Sequence, residues 1–159
     1  MRREHVVIIP ANGGRDAGKA FHLTEMPAAQ TEKWALRAMM GLIKGGMEIP
    51  DEIVGSGIAG IATLGLTAFG RMDFEIAEPL LDEMFNCIKI YGTPGKEETI
   101  RFLVENDIME VGTRIRLRQE VFALHVGFSL AELRSKLSSA MKNRQGSLNT
   151  ETSQGQSEQ

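Results

Sequence analysis

With 159 residues, 42% apolar and 25% charged, the chain has the size and composition of one globular domain with room for a short tail. A net charge of -3 and an isoelectric point near 5.7 argue against a nucleic-acid binder, because such domains carry a basic excess. Cys87 is the only cysteine, so no intramolecular disulfide can form and a reducing compartment fits.

The first residues carry charges and then a short apolar run that a turn sequence interrupts, too short for the apolar core of a secretory leader. HVVIIP, residues 5–10, is β-branched and predicts a strand. Turn residues follow at 11–14, and residues 19–26 alternate, which predicts a second strand and a β-hairpin spanning 5–26. An isolated hairpin is marginal in water and must pack on something. Pro27 then opens a predicted helix that Gly45 and Gly46 end. Leu36, Met39 and Ile43 fall on one helical face, with Lys33, Arg37 and Lys44 opposite. Met40 lies among those basic residues, where a flexible thioether suits a contact surface.

Residues 53–70 hold no charged side chain and have glycine at Gly55, Gly57, Gly60, Gly65 and Gly70. Pro50, Asp51 and Glu52 before them make a coherent helix start. The stretch only just reaches bilayer length, and its glycines, Ser56, Thr63 and Thr67 lower its hydrophobicity. Acids precede it and Arg71 stands alone after it, which are poor flanks for a membrane span. A helix buried in a soluble bundle is expected, with a membrane-associated protein as the alternative.

Asp73 is a candidate cap for a helix over 74–90, with Pro79 where its regular part begins or bends. Leu81, Met84, Ile88 and Tyr91 would line its apolar face. Residues 92–95 form a turn, and Thr99 could cap a short helix through Ile100, Leu103 and Val104. Residues 113–128 predict the strongest late helix. Ser129, with Glu132 at capping-box spacing, opens a final one. Residues 146–159 are polar and predicted to be disordered. The expected fold is therefore mainly α with a small N-terminal β-hairpin (α+β). It comprises one α-rich domain over 1–145, a bundle around the buried Gly-rich helix, and a tail.

GGRDAGKA, residues 13–20, follows a strand and places Gly13, Gly18 and Lys19 in register with a phosphate-binding loop. Ala20 stands where the magnesium-binding hydroxyl belongs, and the next segment reads as a strand rather than a helix. Nucleotide binding through residues 13–19 is thus a lesser alternative to a hairpin loop. His5, His22 and His125 are scattered and form no metal-ligand pair. Cys87 reads as a buried thiol. Arg114 and Arg118 are helical neighbours while Arg116 points elsewhere, and no helix-turn-helix accompanies them. The same helix has two apolar stripes, Leu117, Val121, Leu124 and Phe128 against Ile115, Phe122 and Val126. One apolar face suffices for a monomer's surface helix, so the second stripe points to burial between layers or a partner. Met40, Ile115, Phe122 and Val126 are the candidate partner-binding residues. No catalytic, cofactor-binding or metal-binding residue is assigned, and a non-enzymatic protein is expected.

Three stretches resemble the tail assembly chaperones of long-tailed bacteriophages: GRDAGKAFHLTEMPAAQTEKWALRAM (14–39), AEPLLDEMFNC (77–87) and TRIRLRQEVFALHVGFSL (113–130). Their order, a strand pair followed by helices and a polar tail, is similar too. The resemblance covers most of residues 5–145 and implies an α-rich protein of the host cytoplasm, absent from the mature virion. It implies binding to the tape-measure protein, recruitment of tail tube protein, and self-association into a homo-oligomer. A longer product made by ribosomal frameshifting is a further implication. Neither nucleic acid nor membrane is an expected partner.

Overall fold

The computed structural model describes residues 1–49, 51 and 66–126. The predicted final helix, the tail 146–159 and residues 53–65 of the Gly-rich stretch lie outside them.

The hairpin forms as its alternation requires. β1 (Glu4–Ile8) pairs antiparallel with β2 (Ala20–Thr24), from Glu4 opposite Thr24 to Ile8 opposite Ala20. Side chains alternate across a strand, so Val7, Phe21 and Leu23 share one face, and all three are buried. α1 (Ala28–Lys44) follows Pro27. Its buried face is not the one that Leu36 and Ile43 mark. Trp34, Ala35, Ala38, Met39, Gly41 and Leu42 are buried, while Leu36 and Ile43 are each 54% exposed. Small residues set this choice, because they let neighbouring elements approach the helix. A β-carbon on Gly41 would lie 2.9 Å from Ile76 Cγ2, and one on Gly45 would lie 2.0 Å from the Arg71 carbonyl oxygen.

The end of the Gly-rich stretch lies in a 3-10 turn, Leu66–Arg71, where Ala68 and Phe69 are buried. α2 (Phe74–Phe85) starts after Asp73, whose carboxylate makes no capping hydrogen bond. That carboxylate lies 3.6 Å from Lys44 Nζ instead.

α2 stops at Phe85, and the expected continuation to 90 is a strand. β3 (Ile88–Tyr91) pairs with β2, and β4 (Ile100–Phe102) pairs with β3, where a short helix was expected. The hairpin is thereby half of a four-stranded antiparallel sheet in the order β1-β2-β3-β4, and the fold is α+β. Ile88 and Ile90 fit helical and strand periods equally well from sequence. In the sheet they stand beside Leu23 and Phe21 on the buried face, and β2 gains hydrogen bonds along its second edge. Thr99 caps no helix. Its hydroxyl accepts from the Thr93 N–H at 3.0 Å and donates to the Lys96 carbonyl at 2.7 Å, tying the β3–β4 turn.

α3 (Val111–Val126) starts two residues before the expected position and lies against β1, β2 and α2. Trp34 sits at the centre of the core. Its ring centroid is 5.8 Å from that of Phe69 and 5.9 Å from that of Phe122, and its Nε1–H donates to the Leu80 carbonyl at 2.9 Å. A buried aromatic of this size contributes roughly 2–3 kcal/mol by burial alone, provided its polar atom is paired as here.

Candidate functional site

The loop that resembles a phosphate cradle is closed on itself by its own acid. Gly14 (φ 62°) and Gly18 (φ 79°) take left-handed conformations that bend residues 13–18 back toward β2. The bend places Asp16 in the interior, at 0% exposure. Its carboxylate accepts from the backbone N–H of Met109 at 3.0 Å, from that of Glu110 at 2.9 Å, and from Lys19 Nζ at 2.7 Å. Burial opposes ionisation of Asp16. The Lys19 ammonium, the two backbone N–H groups and the Thr113 hydroxyl outweigh it and hold the pKa at about 2.

Lys19 is committed in the same way, since its ammonium also donates to the Asp107 carbonyl at 2.7 Å. Arg15 reinforces the junction through Glu110 at 2.8 Å and the Met109 carbonyl at 2.8 Å. Arg101 grips Asp107 through two nitrogens, at 2.6 and 2.7 Å. A carboxylate thus stands just before α3, where the helix dipole favours negative charge. Lys19, which would reach a nucleotide phosphate, is spent on the Asp16 carboxylate, and the loop leads into β2 rather than a helix. Beside it is a cleft of about 420 Å³ lined by Ile9, Asn12, Gly13, Glu110, Thr113 and Arg116.

The histidines serve the fold separately. His5 Nε2 lies 4.0 Å from Glu120, and His22 Nε2 lies 3.5 Å from Glu4. His125 joins α3 to the end of β2: its Nδ1 is 2.7 Å from the Val121 carbonyl and its Nε2 accepts from the Met26 N–H at 2.8 Å. Those contacts assign the neutral tautomer with the proton on Nδ1. Among the described residues, no group of three or more His, Cys, Asp or Glu side chains has metal-binding geometry. Cys87 is buried, and burial pushes its thiol pKa up to about 11.

The four candidate partner-binding residues separate. Met40 is 69% exposed and Ile115 is 48% exposed. Phe122 is buried against Trp34, so it belongs to this chain's own core rather than to a partner surface. Val126 is half-buried and packs on the same core. Leu117 and Val121 of one stripe and Phe122 of the other are buried because the helix lies against both the sheet and α2, whereas Ile115 stays exposed and Phe128 lies outside the described residues.

The exposed surface also holds side chains that the sequence pattern assigned to the interior. Leu36 and Ile43 flank Met40 at i−4 and i+3, so α1 presents one apolar ridge to solvent. On the outer face of the sheet, Val6, His22, Lys89 and Phe102 stand side by side in register. Phe102 is 69% exposed there, with the Lys89 ammonium 4.7 Å from its ring centroid. On α3, the Arg114 and Arg118 guanidinium carbons lie 4.1 and 4.7 Å from the ring centroid of Phe85 on α2. Their four-residue spacing was legible in the sequence, whereas the ring that gathers them lies in another element. Compared by sequence and by fold, the chain matches no protein-family model, no curated protein and no solved structure.

Proposed function

We propose that the protein is a non-catalytic phage tail assembly chaperone that binds the tape-measure protein and promotes tail tube assembly. The observation that carries the proposal is the ridge Leu36, Met40 and Ile43, three large apolar side chains in line on one face of a 17-residue helix, each more than half exposed. A chaperone of a long helical client uses such strips to cover the client's apolar seam, as in helix-in-groove recognition. The resemblance of residues 14–39, 77–87 and 113–130 to that family supports the same function. The protein acts in the host cytoplasm as a homo-oligomer, recruits tail tube protein, and is absent from the finished virion.

Co-expression with a long coiled-coil tape-measure protein, followed by pull-down, tests the proposal. A complex and a gain in client solubility are the expected results. No complex, with client solubility unchanged, would refute it.

A further inference from the structure

We propose that Arg114 and Arg118, mounted on Phe85, form a binding site for the carboxylates of an acidic amphipathic helix of a partner protein. Three features carry the inference. First, the two arginines are neighbours on α3, and both guanidinium groups lie within 5 Å of one ring centroid. A guanidinium stacked by its face keeps its N–H edge available for a carboxylate, and that edge is suited to two parallel hydrogen bonds. Arg118 Nε is the one guanidinium nitrogen of the pair with a protein acceptor among the described residues, at 3.4 Å from the Leu81 carbonyl.

Second, among the described residues the two positive charges are held together without an ion-pair partner. Of the nine ion pairs among the described residues, seven involve basic residues of the N-terminal half and the other two Arg101 and Arg116, so none involves Arg114 or Arg118. Asp82 acts on Arg118 only from beyond ion-pair distance. Burial and the charge of Arg114 both lower the pKa of Arg118, which marks a repulsion that an incoming anion would relieve.

Third, apolar side chains run alongside. Val111 and Ile115 repeat the spacing of Arg114 and Arg118 on the same helix, and they are 72% and 48% exposed. A partner helix with leucines beside glutamates four residues apart matches both rows at once. The overall charge of -3 disfavours nucleic acid as the occupant.

This surface deepens the chaperone proposal and rests on it for the source of the helix. The test needs no phage component, so its failure is distinct from failure of that proposal. The probe is a fluorescein-labelled, alanine-rich peptide of about 15 residues, near the minimum for a helix in water. It carries leucines beside glutamates at i and i+4, and its control has glutamine at those positions. Anisotropy should show binding of the glutamate peptide that weakens as salt rises. Arg114→Glu with Arg118→Glu should abolish it, and Arg114→Gln alone should weaken it about tenfold, the scale of one charged hydrogen bond. Failure of the wild-type protein to bind, equal binding of the glutamine peptide, or displacement by a DNA duplex at lower concentration than by unlabelled peptide would each overturn the proposal. Should the double variant misfold, the glutamine peptide and the salt series decide the question on the wild-type protein.

Discussion

The carboxylate of Asp16 accepts a hydrogen bond from the backbone N–H of Glu110 at 2.9 Å, across 94 positions of sequence. This contact fastens the hairpin loop to the start of α3. It makes Asp16 a structural acid, with Lys19 as its counter-charge. Replacement by asparagine keeps the shape but leaves the Lys19 ammonium without its partner and sets an amide against the Met109 and Glu110 N–H groups. Asp16→Asn should destabilise the protein by about 3 kcal/mol, the usual scale for breaking a buried charge pair. Urea denaturation followed by the fluorescence of Trp34 measures it. A midpoint equal to that of wild type would show that the network contributes nothing.

The same carboxylate sets a pH dependence with a definite sign. Its pKa falls from an ordinary 3.8 to about 2 on folding. Its contribution is therefore fully present above pH 3.8 and is lost as the pH falls through about 2. Asp107 and Glu83 are also held below their ordinary values, by hydrogen bonds from Arg101 and Arg37 respectively, against the cost of burial. The acid slope of wild type is thus shared. The difference between wild type and Asp16→Asn isolates one group, and it should shrink between pH 4 and pH 2. A difference constant across that range would contradict the assignment.

His125 acts in the same direction nearer neutrality. Burial holds its pKa below 6.5, the Val121 carbonyl and Glu25 opposing and Arg3 assisting. Protonation puts a hydrogen on Nε2, which then no longer accepts from the Met26 N–H. Its contribution is present above pH 6.5 and is lost as the pH falls through the lower folded value. His125→Gln removes the titration. Stability compared at pH 7 and pH 5 should fall more in wild type than in the variant, and equal falls would exclude the role.

The parts that the sequence made legible are those whose signals are local. β1 and β2 alternate, Pro27 and Gly45 bracket α1, and the helical period runs through 113–126. The parts that were not legible depend on distant partners. Ile88 and Ile90 satisfy two periods, and only β2 on one side and β4 on the other make them a strand. Asp16 carries no local mark that its acceptors will be filled by residues 109 and 110. The buried face of α1 was hidden because Ala35, Ala38 and Gly41 weigh little in an apolar pattern, yet they permit the close approach that decides which side is covered. For the site, exposure of Met40 could be read from its basic neighbours, whereas Ile115 and Phe122 share one stripe in the sequence and part only because Trp34 reaches Phe122.

Cys87 offers a check on the packing of α2 against the sheet. Its thiol is buried, and its pKa of about 11 leaves little thiolate at neutral pH. A disulfide reagent at pH 8 should react slowly with the native protein and fully, with one thiol per chain, in denaturant. Rapid reaction of the native protein would show that this junction opens readily.

Phe122 and Met40 were grouped as contact residues by their spacing, and the structure predicts opposite behaviour for them. Phe122 is 3% exposed and packs on Trp34. Phe122→Asp buries an unpaired charge and removes core volume, at a cost of about 4 kcal/mol or more. Met40 is 69% exposed, between Arg37 and Lys44 on the helix surface. Met40→Glu should change stability by no more than about 0.5 kcal/mol, as for other surface replacements. If the Leu36–Met40–Ile43 ridge holds the client, Met40→Glu should still lower tape-measure retention in the pull-down. Retention unchanged in a folded Met40→Glu variant would move the client site off α1, leaving the arginine face of α3 as the surface to test.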